Sequence, residues 1–214
     1  CGILPFTKIR SRFIRVEKIH SDFYTEYKDN EINPYLYEVH VCPQCGYSST
    51  DQFSNRFPEG TQERIVEQFS RLWHSRDYGN IRTVDEAITT YKLALLCGEL
   101  KEEACIVMAG IAIRLAWMYR LSKNEEQEQR FLKIALKYYK DSFENSDFLD
   151  KQMTEIRLLY LIGELNHRMG NKAEAVQFFS RVIQHRMKDV EKRVVEMARE
   201  QWQSIRHNKD ENKD

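Results

Sequence analysis

The sequence predicts a mainly α fold: antiparallel helical repeats preceded by a small β-rich module. Three observations carry this. The four prolines (Pro5, Pro34, Pro43, Pro58) all lie within the first 58 residues, and their absence afterwards leaves long stretches free to be helical. Gly163, Gly170, Ala175 and Phe179 stand 7, 5 and 4 residues apart, the small-residue ladder that lets two antiparallel helices approach and a bulky ring seal the next pair. Cys42-Pro43-Gln44-Cys45-Gly46 is a tight turn that points two sulfurs the same way. The expected architecture is therefore a zinc-ribbon-like module over residues 1–58, a tetratricopeptide-like helical domain over 59–207 and a polar tail over 208–214.

The N-terminal module reads as short strands and loops. Residues 6–16 alternate in part, and Leu36 to Val41 alternate more cleanly and lead directly into Cys42. Between them Asp29-Asn30 and Asn33-Pro34 signal turns. Structural zinc takes four thiolate or imidazole ligands in a tetrahedron. Pro43 pre-sets the turn, and Gly46 allows the positive φ that aims N–H groups at the sulfurs. Cys1-Gly2 has the form of the end of a second such turn, whose first cysteine would fall upstream of a chain that begins with Cys rather than Met. Cys1, Cys42 and Cys45 are thus the predicted zinc ligands, with His20 and His40 as substitutes. A redox dithiol fits less well, because Gly46 and Ser48-Ser49 make a poor helix start after the second thiol.

The helical half divides at predicted helices near residues 61–76, 84–100, 102–122, 125–146, 151–169, 172–188 and 190–206. Thr83 and Glu86 fit a capping box. Leu115 to Arg120, followed by Leu132 and Ala135, repeats the ladder, and Ala87, Tyr91 and Ala94 give a weaker copy. Ala94 to Ala135 is 41 residues and Ala135 to Val182 is 47, longer than the usual repeat of about 34. A plain antiparallel bundle is the competing architecture. Val190, Val194, Met197, Ala198, Trp202 and Ile205 form one apolar stripe that closes the array.

Several residues together resemble a known family. Asp22-Phe23, Asn33-Pro34-Tyr35-Leu36-Tyr37 and Val41-Cys42-Pro43-Gln44-Cys45-Gly46-Tyr47 are similar to a bacterial group, domain-of-unknown-function family 2225. The likeness spans most of the chain and is most specific over residues 1–53. In that family a Cys-Pro-x-Cys comes first, and Cys1 matches its second cysteine; the first has no counterpart here. The resemblance implies a cytoplasmic bacterial protein with a helical-repeat C-terminal half, and implies no activity.

Lys plus Arg and Asp plus Glu are each 33, for a net charge of zero, which argues against a dedicated duplex-DNA binder. The longest apolar-rich piece, residues 106–118, is broken by Arg114, so no membrane span is expected. Cys97 and Cys105 fall in helical stretches and read as core residues, a usage suited to a reducing cytoplasm. The six histidines show no metalloprotease spacing, and there is no phosphate loop or nucleophile elbow; catalysis is not the expected role. Asp22, Asp29 and Glu31 near Tyr24 and Tyr27 form a site only if the fold brings them together.

What remains is surfaces. In the helical register Arg157, Tyr160, Glu164, His167 and Arg168 share the inner face of one pair with Arg120 of the preceding one. Ile113 and Trp117 also fall there, and Trp117 is read as core. Arginines beside aromatics suit an acidic or carboxylate-bearing peptide. The chain is accordingly read as a protein-interaction adaptor with structural zinc. The alternative is nucleic-acid binding through Lys8, Arg10, Arg12 and Arg15, where residues 8–18 carry a net charge of plus four. Residues 1–57 balance seven basic against seven acidic side chains, which weighs against that alternative.

Overall fold

Helix α3 (Cys105–Leu121) explains the architecture, because it is buried nearly all the way round. Twelve of its residues, from Ile106 to Tyr119, are buried. A helix apolar on every side must sit at the centre of its neighbours. In the computed structural model, which describes residues 14–28, 33–149, 151 and 153–210, α3 packs between α2 (Val84–Lys101) and α4 (Glu125–Asn145). The order continues with α5 (Glu155–Arg168), α6 (Lys172–Ile183) and α7 (Lys192–Asp210), each against its predecessor except that α7 also reaches α5. The protein is mainly helical, with seven α-helices among the described residues and only small antiparallel strand pairs.

Local signals set most helix ends. Thr83 accepts from the Glu86 N–H while the Glu86 carboxylate accepts from the Thr83 N–H, a complete capping box. Asn124 and Thr154 cap α4 and α5 with a side-chain oxygen alone, accepting from the Gln127 and Arg157 N–H groups. Replacing Thr83 with Ala is expected to cost about 1 kcal/mol, read as a lower urea midpoint at unchanged slope. Gly170, at φ 80°, turns the chain between α5 and α6.

Other boundaries differ from expectation. The helix expected over 61–76 is α1 (Thr61–Gln68), after which Phe69 leaves helical geometry and a single 3-10 turn covers Ser70–Leu72. The chain turns there because Phe69 and Trp73 pack with Ile65 and Cys97 beneath the cysteine turn. α6 stops at Ile183 rather than near residue 188. The strand expected over Leu36–Val41 is mostly a 3-10 turn, Pro34–Tyr37, because Asn33 accepts from the Tyr35 N–H and Pro34 supplies a pre-set φ. Only β3 (His40–Val41) remains extended, paired antiparallel with β4 (Ser48–Ser49). Of the strand expected near 6–16, residues 6–13 lie outside the described residues. β1 (Val16–Ile19) begins at its end and pairs with β2 (Thr25–Tyr27).

Two buried cations fasten this part of the chain to the helices. Arg82 donates to the carbonyls of Tyr78, Leu36 and Val39. Lys101, 1% exposed, pairs with Glu103 at 2.5 Å, donates to the Ser54 carbonyl and lies 4.5 Å from the Phe57 ring centroid. Among the described residues no helix is long and apolar enough to cross a membrane.

Candidate functional site

The β1–β2 hairpin ends in a turn, Ser21 to Tyr24, that enters the face of α3 and α5. Asp22 is fully buried there. Arg120 Nη2 donates to Asp22 Oδ2 at 2.7 Å, Trp117 Nε1 donates to the same oxygen at 3.1 Å, and Arg168 Nη2 lies 3.4 Å from Oδ1. Burial pushes the carboxyl pKa up. The hydrogen bond from Arg120, the charges of Arg168 and Arg120, and the Trp117 N–H outweigh it, so Asp22 is held below the usual carboxylate range.

The neighbours of Asp22 are held as well. Ser21 Oγ donates to Glu164 Oε1 at 2.6 Å, and Arg168 donates to both that oxygen and Ser21 Oγ, at 2.8 and 3.0 Å. Tyr160 OH donates to the Ser21 carbonyl at 2.8 Å. The Phe23 ring packs on Tyr160 at 5.3 Å, although its backbone adopts φ 64°. A non-glycine residue in that region carries strain of about 1–2 kcal/mol, which the surrounding contacts offset. Glu164 Oε2 is buried with no hydrogen-bond partner among the described residues, leaving one unmatched acceptor in the groove.

Of the six groove residues expected from the sequence, Arg120, Tyr160, Glu164 and Arg168 converge on this one turn. The other two look toward the C-terminal helices. Arg157 pairs with Glu191 at 3.1 Å and His167 Nδ1 meets Gln201 at 3.0 Å. Trp117 is buried and Ile113 with it, yet the Trp117 N–H is also part of the clamp. Ser21, and Asp22 as the group at the centre, were not legible as groove occupants; the one signal was a Ser-Asp-Phe triplet followed by Tyr24 and Tyr27. Asp29 and Glu31 lie outside the described residues, as do Lys8, Arg10 and Arg12. Arg15 is exposed at the foot of β1, where its carbonyl accepts from Lys28 N–H.

The cysteine turn is a second constellation. Gly46 N–H donates to the Cys42 carbonyl at 2.8 Å and Cys42 N–H to the Tyr47 carbonyl. Gly46 has φ 75°, and a Cβ there would lie 2.4 Å from the Trp73 ring, whose Nε1 donates to the Pro43 carbonyl. Burial pushes both thiols up. For Cys42 the N–H groups of Cys45 and Gln44 reverse this and bring it below the ordinary thiol value, whereas its neighbour Cys45 ends above it. Two adjacent sulfurs with N–H groups aimed at one of them suit half of a thiolate zinc site. Cys1 lies outside the described residues, and among those described no group of three or more His, Cys, Asp or Glu could hold a metal ion. His20 Nε2 meets Glu26 at 3.0 Å and His40 Nε2 meets Asp51 at 3.2 Å.

A family described as uncharacterised proteins conserved in bacteria, domain of unknown function 2225, matches residues 5–205. The chain belongs to this family. A match that runs from before the hairpin into α7 makes the Asp22 clamp and the cysteine turn parts of one family-2225 unit. An uncharacterised protein of Borreliella burgdorferi is 26% identical over 197 residues, covering 76% of this chain and 70% of the relative. No solved structure matches the chain.

Proposed function

We propose that this family-2225 chain is a protein-interaction adaptor whose tetratricopeptide-like helical array presents a groove for an aspartate-bearing peptide. The observation that carries this reading is that the groove between Arg120 and Arg168 accommodates a peptide turn through its side chain, its backbone and its flanking residues at once, as a recognition groove does. The chain's own Ser21-Asp22-Phe23 is that turn. A partner segment with the same chemistry engages the groove when the hairpin is displaced, and the buried, unmatched Glu164 oxygen favours a partner that brings an extra donor. Zinc belongs to the same proposal as a structural ion of a ribbon-like module, held by Cys42, Cys45 and Cys1, and the adaptor works in the cytoplasm.

Two measurements test these parts separately. A labelled peptide of residues 19–25 is expected to bind the Asp22→Ala chain saturably. Binding is lost when the peptide's own aspartate is changed to alanine, or when Arg120→Ala and Arg168→Ala are added to the chain. Absence of saturable binding, in a chain whose hairpin amides exchange freely, removes the adaptor reading. Elemental analysis of the chain purified with zinc is expected to give one zinc per molecule; a value near zero removes the ribbon.

A further inference from the structure

Beside the Asp22 groove, the hairpin turn and α7 do not close on each other. A cavity of about 370 Å³ separates them, bordered by Ile19, His20 and Ser21 of the hairpin, Tyr160 of α5, and Arg193, Glu196 and Glu200 of α7. That falls within the size range of ligand sites, roughly 300–1,000 Å³. The hairpin's own side chains leave it open. Ser21 Oγ turns to Glu164 and Arg168, and the His20 ring lies against Tyr24 and meets Glu26. Ile19 remains 46% exposed. Among the described residues no hydrogen bond or ion pair joins residues 19–21 to α7.

The charges around this cavity do not balance. Glu196 and Glu200 stand one turn apart on α7, both exposed and neither in an ion pair among the described residues. Arg193 is the cation on that wall. Glu164 adds a third carboxylate. It follows Tyr160 by one turn in α5, accepts from Ser21 Oγ, and keeps its buried Oε2 without a partner among the described residues. With an aspartate seated in the groove, Arg120, Arg168 and Arg193 face five carboxylates: that aspartate, Glu128, Glu164, Glu196 and Glu200. The groove is thus cationic where the aspartate binds and acidic where the residues before it run.

We infer that the partner segment carries a basic residue, an arginine foremost, three positions before its aspartate, and that this side chain fills the cavity. The inference rests on the adaptor reading and specifies its partner. The position is the one Ile19 holds in the hairpin. Ile19 ends β1, and pairing continues through His20, whose N–H bonds to the Tyr24 carbonyl. Residues two apart in an extended chain point the same way, and Ser21 points at α5. An arginine there lays its stem along Met197 and offers its planar fork of donors to Glu196 and Glu200. An acidic residue would meet them as a like charge. Isoleucine brings no donor, so the partner gains at this position what it needs against a turn tethered in the same chain.

The test uses the full Asp22→Ala chain and labelled, N-acetylated peptides of residues 19–25, with Ile19 kept, changed to Arg or changed to Glu. The Ile19→Arg peptide is expected to bind about fivefold tighter than the unchanged one, the size of one or two exposed ion pairs, and the Ile19→Glu peptide more weakly. The preference shrinks in high salt, because exposed charges carry it. Adding Glu196→Gln and Glu200→Gln to the chain, both at exposed positions, makes the three peptides bind alike. Equal binding of the three without those changes overturns this inference and leaves the adaptor reading standing. An arginine preference that survives the two glutamine substitutions does the same. Binding of none of the three removes the adaptor reading, and the inference falls with it.

Discussion

Replacing Asp22 with Ala is expected to release the β1–β2 hairpin from the helices and to cost about 3–5 kcal/mol, the penalty for removing one partner of a buried ion pair. The size follows from what the carboxylate joins. It is fully buried between Arg120 and Arg168, which are only 19% and 26% exposed, and it accepts the Trp117 N–H as well. Arg120 keeps Glu128 and Arg168 keeps Glu164 after the substitution, so the lower end of the range is favoured. The hairpin cannot compensate, because every residue of β1 is exposed and a two-stranded hairpin is marginal alone. Hydrogen exchange at His20 and Phe23, whose N–H groups bond within the turn, reports the release, and the urea midpoint reports the cost. Asp22→Asn keeps the shape and one acceptor, and is expected to fall between the two.

The same pair predicts a pH dependence with a fixed sign. Asp22 is held below its ordinary value in the folded chain. Its contribution is therefore complete above the unfolded pKa of about 4 and is lost as pH falls from there through the lower folded value. The stability gap between wild type and Asp22→Ala should be constant at neutral pH and narrow only below about 4. A gap that narrows at higher pH would mean that another group sets the hairpin's docking.

How much of this was legible depends on the range over which each residue acts. Thr83 and Glu86 act on the backbone three residues apart, so the start of α2 could be read directly. The same locality holds for Asn124, whereas Thr154 caps α5 beyond the start expected near residue 151. Arg120, Tyr160, Glu164 and Arg168 could be placed on an inner face because helical spacing is regular. What fills that face could not, since Asp22 and Arg120 are 98 residues apart in sequence and nothing local points one at the other. Longer-range packing also overrode local patterns at Phe69, where cover for the cysteine turn ends α1 early. At Asn33 the reverse occurred: a local cap and a proline won over alternation that suggested a strand. Arg114 illustrates a third case. It read only as a break in an apolar run, whereas its partner Glu38 comes from another part of the chain.

The ladder of small residues makes a sharper prediction, because it assigns opposite signs to one substitution in two backgrounds. Gly163 and Phe179 face each other between α5 and α6, and a Cβ at 163 would lie 2.9 Å from two atoms of the Phe179 ring. The ring is fully buried with Ile156, Leu159, Tyr160 and Val182 and has little room to retreat. Gly163→Ala in the natural chain combines a helix-propensity gain of about 1 kcal/mol with an overpacking cost of about 1–3 kcal/mol, so the net change is destabilising. Phe179→Ala alone removes the ring and leaves a cavity, costing about 3–5 kcal/mol. In that background the clash is gone. Of the three nearest atoms the Phe178 Cβ, at 3.3 Å, remains against the new methyl group, and Gly163→Ala should become stabilising by up to about 1 kcal/mol. Urea midpoints of the four chains close a double-mutant cycle whose coupling term is favourable by about 1–3 kcal/mol. If Gly163→Ala carries the same sign with and without the ring, Phe179 is not what requires glycine at 163. The spacing that signalled paired helices would then owe nothing to close approach.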